Sequence, residues 1–205
     1  MTGGVNYRAA PATFATLALT VAATLFAWTM WPQAAVFGGF IPARLGGASL
    51  AGAVPALLTP FTAALMHSSW MHLAFNMLML VWVGRAVEGA IGAKLWLGLY
   101  VLGAVFGAVG SWALNPASTI PGIGASGAIS ALVAVYALVF SEREVKSVAG
   151  LPPHFVRALW LGAAWIGIQL LVGYASDNID IGAHIGGFVA GLLLARPLLR
   201  LRFRR

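Results

Sequence analysis

Residues 181–205 read IGAHIGGFVAGLLLARPLLRLRFRR. The apolar part, about 181–198, is close to the ~20 helical residues that cross ~30 Å of hydrocarbon at ~1.5 Å each. It holds a single histidine near its start, and the stretch ends in Arg196, Arg200, Arg202, Arg204 and Arg205. Gly182, Gly186, Gly187 and Gly191 form two interleaved small-xxx-small patterns, which let helix backbones approach closely inside a bilayer. The stretch therefore predicts a membrane helix built to pack against other helices.

The rest of the chain agrees. Hydrophobic residues make up 60% of the 205 and charged residues 8%, whereas a soluble domain carries about 25% charge. Five more apolar segments lie at about 12–31, 70–87, 95–114, 126–141 and 156–174. The expected fold is an all-α membrane protein with six transmembrane helices, of which the fourth is short. One membrane domain fills residues 1–205, with a short N-terminal segment at about 1–11 and a basic tail at about 199–205. The first apolar segment is long enough to span and shows no small-residue cleavage site after a short core, so no cleavable signal is expected. The chain has no Cys, which excludes disulfides, thiol catalysis and Cys-ligated metal.

The net charge of +7 reflects topology rather than nucleic-acid binding, because the basic residues flank apolar spans. Arg8, Arg85, Lys94, Arg143, Lys146, Arg157 and the five terminal arginines all fall on one side of a six-span arrangement. Arg44 alone falls on the other, together with Asp177 and Asp180. The positive side is cytoplasmic, so both termini are inside, and a bacterial inner membrane is the expected location. The long first connector, about 32–69, is rich in Gly, Pro and apolar residues. It is expected at the outer interface, packed on the helices.

Polar residues recur at one depth on the helices that run from outside to inside. Helix two opens with His67, His72 and Asn76, helix four with Gly124-Ala125-Ser126-Gly127, and helix six with Ala183-His184. Counting down to the inner charges puts the hydroxyl, imidazoles and amide roughly 18–24 Å above the inner interface, below the outer surface. Polar groups there are costly and mark function.

Each residue also has a plainer explanation. A lone helical serine bonds back to the preceding turn, and a lone buried histidine donates to a carbonyl. Together at one depth, Ser126 and His184 fit a nucleophile and its general base. The helix N-terminus at Ser126 favours negative charge, as an oxyanion needs. His72 and Asn76, four apart, share a helix face and are both donors. His67 is expected on a different face, holding the first loop, and His154 lies on the cytoplasmic side. No metal is expected: His67 is followed by Ser68, so H-E-x-x-H is absent, and no carboxylate is placed at that depth.

In this order, His67-x4-His72-x3-Asn76, Gly124-Ala125-Ser126-Gly127 and Ala183-His184-x2-Gly187-x3-Gly191 resemble the rhomboid intramembrane serine proteases. Gly84, Glu88, Gly92 and Tyr100 resemble the family's second-to-third helix region. The resemblance covers about residues 55–198. It implies a Ser126–His184 dyad without a third acid. It also implies an oxyanion site of His72, Asn76 and the Ser126 N–H, and structural motif positions at His67, Glu88, Gly124, Gly127, Gly187 and Gly191. Implied partners are transmembrane protein substrates, cleaved near their outer end, and membrane lipids. Neither a cofactor nor nucleic acid is implied. The alternative is a non-proteolytic, derlin-like member that binds membrane helices, although such members lose the serine or the histidine. Two departures stand out. The first loop lacks the family's Trp-Arg pair, reading Ala56-Leu57-Leu58-Thr59-Pro60, and Ser130 stands where an aromatic usually packs on the histidine. A serine there leaves room beside the His184 ring for a side chain, lipid or water to fill, and the favoured reading has Ser130 bonding back to the Ser126 carbonyl.

Overall fold

Pro11 opens the first helix, α1 (Pro11–Met30), where its missing N–H costs no helical bond. The computed structural model describes residues 9–140, 145–175 and 179–203. Arg8, Glu142, Arg143, Asp177, Arg204 and Arg205 lie outside them, as does the side chain of His154.

After α1 come two short helices in the first connector, α2 (Ala34–Gly38) and α3 (Thr59–Ala63). The long helices follow: α4 (Trp70–Ile91), α5 (Ala93–Leu114), α6 (Ser126–Phe140), α7 (Pro153–Ala175) and α8 (Ile181–Phe203). Among the described residues there is no strand, only isolated antiparallel bridges. Four helices, α1, α4, α5 and α8, are long and apolar enough to cross a membrane, and the apolar stretches of α6 and α7 are shorter. α8 runs past the expected end near 198 to Phe203, through Pro197 and into the basic tail.

α8 packs against α5 and α6, which also pack on each other. The sequence shows why three backbones come so close. Gly182 and Gly186 of α8 face α5, where an added Cβ would press on Gly110, Ser111 and Phe106. Gly187 and Gly191 face α6, against Gly127 and Ala131. The two small-residue patterns thus serve two different neighbours. Below them lies an apolar core of fully buried Leu80, Val87, Ile91, Trp96, Leu99, Leu132 and Val135. Large apolar side chains point outward, among them Leu19, Phe26, Phe75, Leu78, Trp82 and Leu193, which suits a hydrocarbon surround.

α1 buries its threonines. Thr13, Thr16, Thr20 and Thr24 recur at helical spacing on its inward face. Its start has no side-chain cap of its own. Glu88 of α4 replaces one: the Ala12 and Thr13 N–H groups donate to its carboxylate at 3.0 and 2.8 Å, and the Thr13 hydroxyl at 2.7 Å. The α4–α5 turn depends on Gly92, whose φ of +83° suits glycine.

The first connector is folded onto the helices. Arg44 donates to the Val54 carbonyl at 2.9 Å, closing the loop on itself. Phe40 pairs with Gly122 in both directions, at 2.9 and 2.8 Å. Ala43 N–H donates to Ser118 O and Gly124 N–H to Ala63 O. The connector therefore braces the segment that leads into α6.

Candidate active site

Ser126 is the first residue of α6. The first helical bond runs from Ile129 N–H to Ala125 O at 2.9 Å. The amides of residues 126–128 therefore precede the ladder and face outward from a helix N-terminus. Gly124, two residues earlier, has φ +128°, a conformation that suits glycine. It needs glycine for space as well. A Cβ there would stand 2.7 Å from His72 Nε2 and 3.7 Å from Ser126 Oγ, so both groups flank the same open point.

His72 sits in the first turn of α4. Ser69 caps that helix by accepting the His72 N–H at 3.2 Å. The Ser68 hydroxyl lies 3.1 Å from His72 Nδ1, which leaves Nε2 turned toward Gly124. Asn76 follows one turn later, buried, with its side-chain amide donating to the His72 carbonyl at 2.9 Å. An amide NH2 has a second hydrogen to give.

His184 lies in the first turn of α8 and is half-buried. Its N–H donates to Asp180 O at 3.2 Å. The residue before it, Ala183, has its carbonyl 3.4 Å from where a Gly127 Cβ would be and 3.1 Å from a Gly107 Cβ. The chain next to His184 thus touches the chain next to Ser126. A cavity of about 50 Å3 lies there, lined by Ser126, Gly124, Gly127, Ala183 and Asp180.

His67 departs from the helical-face expectation. α4 begins only at Trp70, so His67 belongs to the preceding connector, and its ring meets that of His72 edge-on at 4.8 Å. It is buried. Its Nε2 accepts the Ala125 N–H in a long 3.4 Å contact, and its Nδ1 lies 3.2 Å from the Thr24 hydroxyl. The assignment that satisfies every group has Nδ1–H donating to Thr24, which donates on to Leu65 O at 3.0 Å. Burial first, and then the neighbouring His72, push the imidazole down to about 3. Neutral His67 thereby ties α1 to the residue before Ser126.

Ser130 is 1% exposed and donates to the Ser126 carbonyl at 2.7 Å, the backward bond expected of it. Asp180 ends the connector before α8, where charge counting has it, but it also caps α8 through the Ala183 N–H at 2.9 Å and lines the Ser126 cavity, where no carboxylate was expected. Its signal in the sequence was an N-cap residue directly before an apolar helix.

Residues 54–201 match the Rhomboid domain family. The chain is 35% identical over 144 residues to rhomboid protease GluP of Bacillus subtilis, covering 69% of this chain and 25% of that protein. It is 31% identical over 137 residues to rhomboid protease GlpG of Pectobacterium atrosepticum, covering 66% and 46%. Inactive rhomboid-related protein 2 of Caenorhabditis elegans is 26% identical over 148 residues, covering 72% and 42%. The matched region spans less than half the length of each of these three relatives.

Proposed function

The chain belongs to the rhomboid family, and from that premise we propose that it is an intramembrane serine endopeptidase working through Ser126 and His184. The observation that supports this most directly is the contact of Ala183 with Gly127, which joins the two backbones bearing the proposed dyad. Ser126 Oγ attacks the scissile carbonyl carbon while its proton passes to His184. The oxyanion formed is held by His72, Asn76 and the Ser126 N–H. His184 then gives its proton to the leaving amine as the C–N bond breaks, and water, deprotonated by His184, releases the acyl group. Preorganised donors of this kind stabilise charge where it develops.

The substrates are transmembrane segments cleaved near their outer end. The domain crosses the membrane six times with both termini cytoplasmic, in a bacterial inner membrane, and the first connector rests in the outer interface. Retention of both Ser126 and His184 favours this over a helix-binding, non-proteolytic role. The test is labelling by a serine-directed fluorophosphonate, paired with cleavage of a model transmembrane substrate in liposomes. Wild type should label and cleave, and Ser126→Ala and His184→Ala should do neither while still inserting. Full cleavage by either mutant would sink the assignment.

A further inference from the structure

His184 occupies an awkward place for a base. With Asp180 as N-cap and Ile181 as first helical residue, His184 is the fourth residue of α8. The start of a helix carries about half a positive charge from its aligned amides. A histidine that takes a proton there becomes a cation at the positive end of the helix, which disfavours the transfer.

Asp180 stands at that same end. Its Oδ1 accepts the Ala183 N–H at 2.9 Å, and its backbone carbonyl accepts the His184 N–H at 3.2 Å. Oδ2 sits 3.3 Å from where a Cβ on Gly122 would be, so the carboxylate is held against the strand-like segment leading to Ser126. It lines the cavity that Ser126 lines. Residues four apart at a helix start share a face.

Resting on the protease reading above, we infer that Asp180 is a positioning residue for His184. Its cap fixes the start of α8, and its negative charge offsets the helix terminus and faces the imidazolium formed when His184 takes the serine proton. The reaction keeps a dyad in direct contact with substrate, with the carboxylate acting through His184.

Cap and charge separate cleanly by substitution, because Asn caps a helix as well as Asp does. Asp180→Asn keeps the cap and removes the charge, and Asp180→Ser does the same with a different cap should Asn fold poorly. Asp180→Ala removes both. Four quantities are read: thermal unfolding in detergent, the rate of fluorophosphonate labelling, and kcat and KM on a transmembrane substrate in liposomes. For Asp180→Asn we expect unfolding near wild type, unchanged KM, and labelling and kcat both lowered about tenfold. Asp180→Ala should add a loss of thermal stability. Wild-type kcat in both capped variants would overturn the inference and leave Asp180 a helix cap. A loss confined to KM would overturn it too. A wild-type protein that neither labels nor cleaves would remove the protease reading and this inference with it, an outcome distinct from a reactive wild type with a reactive Asp180→Asn.

Discussion

Gly187 of α8 rests directly against the carbonyl of Gly127 in α6. The two helices meet backbone to backbone one residue beyond Ser126 and three beyond His184. A methyl at 187 has no free volume, and backbone cannot rotate away as a side chain can. Gly187→Ala should therefore destabilise by about 1–3 kcal/mol or more and lower activity further by parting the proposed dyad. Gly98 has nothing within 4 Å of an added Cβ, so Gly98→Ala is the control. Thermal unfolding and cleavage of both variants check this, and equal behaviour would refute close approach at Gly187.

The oxyanion proposal predicts a kinetic signature. His72→Ala and Asn76→Ala should lower kcat by roughly 10²–10³ while leaving KM nearly unchanged, since their donors matter most as charge develops. Changes in KM alone would make the pair substrate contacts.

Ser130 makes a backward bond to Ser126 O inside a packed region. Ser130→Ala removes one hydrogen bond, about 1 kcal/mol, and should retain most activity. Ser130→Phe should destabilise by about 1–3 kcal/mol through overpacking. Unfolding temperature and cleavage, measured together, decide between packing and chemistry.

His67 predicts acid sensitivity. Its imidazole is depressed from 6.5 to about 3 in the folded protein, so the folded state favours the neutral ring. That contribution is fully present above pH 6.5 and is lost progressively as pH falls from 6.5 toward 3. His67→Gln should be less stable than wild type at pH 7.5, and the gap should shrink or reverse at pH 4.5. A gap independent of pH would mean that the ring's protonation does not matter to the fold.

Glu88 receives three donors from the start of α1. Glu88→Ala strands them at about 1–3 kcal/mol per buried group, so unfolding should fall well below wild type. Glu88→Gln, which still accepts, should fall less.

Long apolar segments and small-residue patterns were legible because hydrophobic length and helical spacing are local properties. The boundaries of α1, α5 and α6 follow from them. The end of α8 was not legible, because charge marks where a bilayer stops and not where a helix does. Of the polar residues expected together, the structure gathers Ser126, His72 and Gly124 around one point. What the sequence hid depends on pairing between distant segments. Nothing local links Glu88 to Thr13, Phe40 to Gly122, or His67 to Ala125. Asp180 was rightly counted in the connector, but counting charges cannot see that a cap residue also lines the Ser126 cavity.

The joining of Glu88 to α1 also has a consequence in time. Ala12 and Thr13 leave the ribosome some 75 residues before their acceptor exists. Until α4 has been made and threaded, the first turn of α1 must keep its amides in water or among headgroups. Insertion of α1 is thus one event and its docking a later one. A nascent chain arrested before residue 88 would already hold the partners of Thr24 at the far end of α1, Leu65 and His67, but not the carboxylate that fixes its first turn.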